Sequence, residues 1–213
     1  MADNSTAAPA RPRNRRGEGA RLREEIVDAA VDLLDETGNE SAITLRSVAR
    51  RVGIAAPSIY RHFPDQPTIM LAVVQRAFAE LETQLRTDVD AAGDDPRQRL
   101  FACCHGYLRF AKDHPERYRT MFGGLWMPVL RDTTVTINDV MTLGDACTQL
   151  LTDTLNGCVT AGLATSTDVR ADSVALWLGL HGLAHQRAST IAYPWPPDIA
   201  DRIITALAHL TGE

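Results

Sequence analysis

Lysine is almost missing from this chain of 213 residues: Lys112 is the single lysine among 22 basic residues. We read this as a bias of composition that carries no mechanism. Long apolar runs are missing too, since no stretch of about 18 uncharged apolar residues occurs, and we therefore predict no transmembrane helix. The first ten residues are small and polar and lack the apolar centre of a signal peptide, so we expect a cytoplasmic location.

Cysteine is also rare, and its four positions lack the spacing of a zinc ribbon. Cys103 and Cys104 are adjacent, a placement in which two cysteines rarely bridge each other, and Cys147 and Cys158 stand apart. In a cytoplasmic protein, these side chains are predicted to be small buried apolar residues. A thiol redox switch is the alternative, although nothing near these positions predicts a thiolate of low pKa.

The sequence contains none of the motifs that mark the common enzyme classes. A Walker phosphate loop, a Gly-x-Ser-x-Gly turn and a Rossmann glycine fingerprint after a strand are absent. His181 and His185 stand four residues apart, as in a metalloprotease helix, but Gly182 follows His181 in place of the required glutamate. We therefore predict no catalytic residue, no cofactor and no metal site. A zinc site at these two histidines, or a metal sensor that uses His181 with Cys104 and His105, is the alternative.

The net charge of −5 is unevenly distributed along the chain. Residues 1–76 carry 11 arginines against 10 acidic residues, whereas residues 77–213 carry 11 basic residues against 17 acidic ones. Between Arg11 and Arg23, six arginines accompany a single glutamate. Because phosphate contacts depend on the local field, an acidic total does not exclude a nucleic-acid partner. We predict that residues 1–19 form a disordered arginine-rich arm, which is either a solvated tail or an arm that follows DNA.

Apolar residues recur at helical spacing through the rest of the chain, and strand-like alternation with turn signals is missing. We therefore predict an all-α fold. Glycine and proline mark the ends of helices, for instance at Gly38, Gly53 and Pro64. The predicted helices cover residues 20–37, 44–52, 56–63, 68–92, 96–112, 115–122, 138–162, 172–191 and 197–210, with an irregular segment at 123–136.

The segment from Thr44 to Phe63 has the pattern of a helix-turn-helix. Two short helices can cross closely because Ala49 is small, Gly53 permits a turn with positive φ, and Ile59 anchors the second helix. The second helix exposes small residues, which let it enter the major groove, and hydroxyl and basic groups, which reach phosphates and base edges. These exposed residues are Ala55, Ala56, Ser58, Tyr60, Arg61 and His62. An ordinary helical hairpin with a glycine turn is the alternative.

Val52–Ile54 and Ile59–Phe63 resemble the signature of the TetR family of bacterial regulators, an apolar-Gly-apolar turn and a short helix that ends in Tyr-x-His-Phe. The resemblance implies a homodimer of all-helical subunits, each with an N-terminal DNA-reading head and a larger ligand-sensing domain. It implies a phosphate contact at Thr44. At Gln66, where the family commonly has a lysine on a phosphate, a weaker contact is expected. The other positions that it places at the DNA are Arg46, Ala56, Pro57, Ser58, Tyr60 and His62.

We predict a helix-turn-helix domain over residues 20–66, and an effector-binding and dimerisation domain over residues 67–213. In the larger domain, His114–Phe122 and Trp177–Gly182 resemble a TetR subgroup whose sensor domain carries a Trp…His-Gly motif. Aromatic and methionine residues beside the irregular segment indicate a mostly apolar effector site. Its candidate residues are Phe101, Cys104, Leu108, Trp126, Leu151, Trp177 and His181. Of these, His181 either binds a polar group of the effector or packs beside Trp177.

Two glycines on one predicted helix indicate a place where a second helix can approach closely. Gly179 and Gly182 leave a low strip on that helix, and the last helix offers Ile203, Leu207 and Leu210. We predict that these five residues belong to a four-helix dimer interface, on the strength of the resemblance above all. Packing within one chain is the alternative.

These patterns predict a sequence-specific regulator of transcription that is not an enzyme. From the resemblance, we expect a repressor that leaves a palindromic DNA operator when a small, mostly apolar effector binds. The expected partners are double-stranded DNA, the effector and a second copy of the chain, with no membrane. An enzyme, or a helical binding protein whose head no longer reads DNA, is the rival hypothesis.

Overall fold

The structure is a computed structural model that describes residues 18–123 and 132–212. Residues 1–17 of the predicted arginine-rich arm lie outside these ranges, and so does Trp126. Within them, extended pairing is limited to a single antiparallel bridge between Ala164 and Leu210, and the all-α prediction is confirmed. The α-helices are α1 (Glu18–Thr37), α2 (Leu45–Val52), α3 (Ala56–Ile59), α4 (Gln66–Ala91), α5 (Pro96–Asp113), α6 (Pro115–Phe122), α7 (Ile137–Met141), α8 (Asp145–Thr160), α9 (Val169–Ser189) and α10 (Ile199–Leu207).

The helices fall into two compact units. The first unit consists of the described residues up to Val73 together with residues 132–136, and the second unit contains the remaining helices. The sequence predicts a boundary at residue 66 and assigns residues 132–136 to the larger domain. In the structure, contacts group this short segment with the first unit.

One predicted helix is wrong, because residues 138–162 form two helices rather than one. Gly144, which separates α7 from α8, has a φ of +79°. A Cβ atom at this glycine would lie 2.7 Å from Cε1 of Phe78, so the chain both turns and approaches a ring closely here. Met141, the last residue of α7, is 72% exposed. The helix predicted to end at Phe63 is also shorter, since α3 ends at Ile59 and a turn follows it.

The first unit is built around the crossing of α2 and α3. Thr44 caps α2 through a capping box, in which its hydroxyl accepts from the Ser47 amide and the Ser47 hydroxyl accepts from the Thr44 amide. Gly53 ends the helix with a φ of +75°. Ala49 and Ile59 are both buried at the crossing. The local signals that predict the helix-turn-helix therefore have the expected structural roles.

The core of the second unit lies mainly between α5, α8 and α9. Three of its cysteines are buried, and Cys147 is half-buried. Burial raises the pKa of the Cys103 and Cys147 thiols to about 12, and the pKa of Cys104 is raised as well. These thiols stay protonated at neutral pH, which favours packing over a thiolate-based redox switch.

Asp65 connects the beginning of α4 to residues 132–136. Its Oδ1 accepts a hydrogen bond of 2.8 Å from the Thr68 amide, which caps the helix. Its Oδ2 accepts bonds from the Thr133 hydroxyl at 2.9 Å and the Thr134 amide at 3.4 Å. Burial alone raises the pKa of Asp65, but these hydrogen bonds together bring it below its ordinary value. Next in the segment, Val135 is buried.

Asp65→Ala is expected to lower the free energy of unfolding by about 0.5–2 kcal/mol, the usual cost of losing a helix cap. Because the folded-state pKa lies below the unfolded value of about 3.9, this contribution is complete above that value and disappears as the pH falls through the folded-state pKa. Chemical denaturation from about pH 7 down to pH 3 measures it. Asp132→Ala, an exposed neighbour, serves as the control. A stability difference that persists undiminished into acid would contradict a charged cap.

Candidate nucleic-acid interface and sensor core

The residues predicted to contact DNA lie on α2, on α3, in the turn after it and at the start of α4. Ile59 and Phe63 are buried, and this directs Tyr60 outward, where it is 50% exposed. Thr44, Arg46, Pro57, Arg61 and Gln66 are also exposed, whereas Ala56, Ser58 and His62 are partly exposed.

Three arginines near the helix-turn-helix form no ion pair in the part of the chain that the structure describes. They are Arg46, Arg50 and Arg61. By contrast, Arg51 pairs with Glu36, and the guanidinium of Arg23 lies 4.8 Å from the centre of the Phe63 ring. The sequence analysis missed Arg50. Its signal is the spacing of four residues from Arg46, which places both side chains on one face of α2.

Two side chains that are predicted to contact phosphates already form hydrogen bonds within the chain. The Gln66 amide nitrogen Nε2 donates to the carbonyl oxygen of Ile43 at 2.9 Å, which ties the beginning of α4 to the residues before α2. The Thr44 hydroxyl takes part in the capping box with Ser47. The phosphate contacts of Thr44 and Gln66 stay predictions, and each would have to share or replace an existing hydrogen bond.

Most predicted effector residues in the described ranges belong to the core of the second unit. Cys104, Leu108 and Leu151 are buried, and Phe101 is partly buried with its ring 6.1 Å from that of His105. Trp177 and His181 are partly buried, and they belong instead to a group of rings on α5, α6 and α9, which we call the aromatic cluster. Its members are Tyr107, Tyr118, Phe122, Trp177 and His181.

Hydrogen bonds link the polar atoms of the aromatic cluster. The Tyr118 hydroxyl lies 2.7 Å from Nδ1 of His181, and the Tyr107 hydroxyl lies 3.1 Å from the Tyr118 hydroxyl and 3.2 Å from the same Nδ1. Burial raises the pKa of Tyr118 to about 12 and also raises that of Tyr107. Burial, assisted by nearby His185, lowers the pKa of His181. All three groups are therefore uncharged near neutral pH.

The sequence places Trp177 and His181 on one helix face, but it does not predict that Tyr107 and Tyr118 are their partners. The tyrosines lie 63 and 74 residues before His181 in the chain, so no local pattern links them. A depression of about 200 Å³ is lined by Phe78 and residues 142–147, among others, and by no member of the aromatic cluster. Phe78 contacts Phe122 of the cluster edge-on at 5.6 Å. Packing of His181 beside Trp177 is also observed, with ring centres 5.6 Å apart.

The alternatives that use a metal ion find no support in the described ranges. Across residues 18–123 and 132–212, no group of three or more His, Cys, Asp or Glu side chains is placed to bind a metal ion. In the same ranges, no helix has both the length and the apolar character needed to cross a bilayer.

Two family models match this chain. Residues 26–73 match the model described as "Bacterial regulatory proteins, tetR family", and residues 100–210 match "Tetracyclin repressor-like, C-terminal domain". A structure of a protein of unknown function from Rhodococcus sp. RHA1 has the same fold, with a TM-score of 0.71 and 22% identity over 92% of this chain and 95% of that one. The second family model alone spans more than half of the chain.

Curated relatives resemble this chain over part of its length. The nucleoid occlusion factor SlmA of Vibrio campbellii is 29% identical over 101 residues, which are 47% of this chain and 51% of that protein. The transcriptional repressor KstR of Mycolicibacterium smegmatis is 34% identical over 79 residues, 37% of each chain. The chain thus spans about half the length of the SlmA proteins that it matches, and less of KstR. Together with the helix-turn-helix geometry, the two family models show that the chain belongs to the TetR family of bacterial regulatory proteins.

Proposed function

We propose that this protein is a dimeric, sequence-specific DNA-binding regulator of transcription, a repressor that a small, mostly apolar effector releases from a palindromic operator. The observation that carries the proposal is the helix-turn-helix itself. Buried Ala49 and Ile59 hold two short helices together, while Tyr60 and three arginines outside any described ion pair remain exposed. This arrangement suits a groove of duplex DNA.

In the proposed complex, contacts to phosphates position the protein on the DNA, and contacts to base edges recognise the sequence. The arginines at positions 46, 50 and 61 neutralise phosphates or reach base edges, and phosphate neutralisation makes affinity depend on salt. Small residues at the start of α3, Ala55 and Ala56, let the backbone approach the floor of the groove. In a two-fold dimer, the two recognition helices meet half-sites about 34–36 Å apart, or a multiple of that distance, which accounts for a palindromic operator.

An apolar face of α9 supports the proposed dimer. Val174 and Leu178 are 42% and 55% exposed, and Gly182 follows at the same spacing of four residues. Across residues 18–123 and 132–212, nothing lies within 4 Å of a Cβ atom at Gly182, so the described part of the chain leaves this side of the helix open. We place these three residues at the centre of the interface with a second copy.

The other predicted interface residues support packing within the chain. A Cβ atom at Gly179 would lie 2.5 Å from Cδ1 of Leu207 and 3.0 Å from Cγ2 of Ile203, so this glycine lets α9 and α10 of one chain approach closely. Leu210 is half-buried and forms the antiparallel bridge with Ala164. Their contribution to a dimer stays a prediction.

Effector control requires a difference in affinity between two arrangements of the subunits. An effector that binds both arrangements equally well shifts nothing, however tightly it binds. A coupling of about 1–3 kcal/mol would weaken operator affinity roughly 5- to 150-fold, and the operator would weaken effector binding by the same factor. Membership of the Trp…His-Gly subgroup stays a prediction and adds no effector identity.

Selection of bound fragments from genomic DNA, followed by affinity measurements on the selected site, tests the proposed function. Enrichment of a roughly two-fold symmetric site is the expected result. Binding without sequence preference, or no DNA binding by a folded dimer, would instead favour a helical binding protein that does not read DNA.

Arg46→Ala and Arg50→Ala are each expected to weaken operator binding. If the side chain contacts a phosphate, the plot of log affinity against log salt loses about one unit of slope. If it contacts a base, discrimination falls by about 1–3 kcal/mol at one operator position instead. Fluorescence anisotropy at several salt concentrations distinguishes the two cases. The control is Arg170→Ala, which removes an exposed arginine of α9 in the second unit. Equal affinity, slope and specificity in all four proteins would remove α2 from the interface.

A further inference from the structure

The direction of the hydrogen bonds in the aromatic cluster follows from counting hydrogens. Three contacts join the two tyrosine hydroxyls and Nδ1 of His181: the hydroxyls lie 3.1 Å apart, and they lie 2.7 Å (Tyr118) and 3.2 Å (Tyr107) from Nδ1. Each hydroxyl has one hydrogen to donate. If Nδ1 carried a proton it could not accept, and one of the two hydroxyl hydrogens would have no acceptor in this group. The complete arrangement runs from Tyr107 through Tyr118 to an unprotonated Nδ1.

The proton of the neutral His181 ring therefore resides on Nε2. The lowered pKa of His181, caused first by burial, agrees with a neutral ring. All hydrogen bonds described for His181 involve Nδ1, and Nε2 has no hydrogen-bond partner in the described ranges. The ring is half-buried, and its centre lies 5.0 Å from the centre of the Phe122 ring and 5.6 Å from that of the Trp177 ring. A fixed donor thus stands unpartnered beside two apolar aromatic faces.

The surroundings select the kind of acceptor that this donor can take. Both arginines of α6 are engaged in ion pairs, Arg117 with Glu80 and Arg119 with Glu116. A carboxylate bound among neutral rings would lose its hydration without gaining a counter-charge, which is costly. A carbonyl oxygen needs one hydrogen bond and carries no net charge.

We propose that the aromatic cluster is the polar subsite of the effector pocket, and that it selects a neutral carbonyl compound with a flat apolar body, whose oxygen accepts a hydrogen bond from Nε2–H of His181. This inference rests on the proposed effector control and names the chemical class of the effector. Tyr107 and Tyr118 act as positioning residues, since they set which nitrogen of His181 carries the proton.

The test compares three small probes of one ring size on the full chain without DNA: acetophenone, ethylbenzene and benzoate. Tryptophan fluorescence or NMR titration gives a dissociation constant for each probe. The quantity of interest is the preference for acetophenone over ethylbenzene, because this ratio cancels the apolar contribution of the ring. His181→Phe is expected to reduce the preference roughly 3- to 10-fold, the usual value of one hydrogen bond. His185→Phe, one turn further along α9, is the matched control and should keep it.

Each result bears on the proposal. A preference that is unchanged in His181→Phe overturns it, as does benzoate binding as tightly as acetophenone, or no acetophenone binding to the wild-type chain. Nitrogen NMR of the wild-type protein provides a measurement that does not depend on folding of the variant: a protonated Nδ1 would overturn the proposed direction of the network. Because no DNA is present, these results are independent of whether an operator is found.

Discussion

Phe63→Ala is expected to lower the free energy of unfolding by about 3–5 kcal/mol, the usual cost of deleting a buried aromatic side chain. The Phe63 ring is 1% exposed and carries the guanidinium of Arg23 on its face. Its loss removes a large part of a small core, so the head should also lose specific DNA binding near its reduced melting temperature. Chemical denaturation and operator binding, measured on the same samples, check both effects.

The combined variant Tyr60→Ala with His62→Ala is the control for this prediction. Tyr60 is half exposed and His62 partly exposed, so truncating both should change stability by no more than about 0.5 kcal/mol per site. Operator affinity should nevertheless fall, because these side chains belong to the proposed DNA contact. A stable Phe63→Ala variant would mean that the ring does not support the head. Unchanged DNA binding in the double variant would remove the turn after α3 from the interface.

Leucine substitutions at Gly179 and at Gly182 are expected to have different effects, although the two glycines are only three residues apart on α9. The first should lower the stability of the subunit, and the second should prevent dimerisation. At Gly179, the new side chain meets Leu207 and Ile203 of the same chain, so Gly179→Leu should lower the free energy of unfolding by about 1–3 kcal/mol. At Gly182, a Cβ atom meets nothing within 4 Å among the described residues. Gly182→Leu should therefore fold normally and lose dimers, with operator binding lost as a consequence.

Sedimentation across a range of concentrations, together with thermal denaturation, separates the two outcomes. Each glycine variant acts as the control of the other, since both add the same side chain to the same helix. A Gly182→Leu variant that dimerises as the wild-type protein does would exclude this face of α9 from the interface. A fully stable Gly179→Leu variant would contradict the close approach of α9 and α10.

The helix-turn-helix could be predicted because its signals are local. The Thr44 cap, the Gly53 turn and the Pro57 near the start of α3 act within about one turn of their own positions, and the structure gives each the expected role. The break at Gly144 could not be predicted in the same way. A glycine costs a helix only about 1 kcal/mol, so an apolar pattern that continues across it is compatible with either one helix or two. Contact with Phe78 decides the matter, and that is tertiary information.

The sensor site shows the same limit more clearly. The spacing of Trp177 and His181 indicates that they share a face of one helix, and they do pack together. Which tyrosines complete the cluster depends on how α5 and α6 pack against α9. Neither periodicity nor composition encodes that packing across more than 60 residues of chain. The roles of the individual DNA and effector residues remain predictions for the experiments above.

The bond between Asp65 and Thr133 has a consequence for the order of events during protein synthesis. The two residues are 68 positions apart. At about 5–20 residues per second, Thr133 leaves the ribosome roughly 3–14 s after Asp65. In that interval the helix-turn-helix can form from its local signals, but the Asp65 carboxylate has the Thr68 amide alone, without its bonds to Thr133 and Thr134. The helix-turn-helix therefore emerges first, and the bonds from Asp65 to residues 133 and 134 form later. A chain released before residue 133 would never form these bonds.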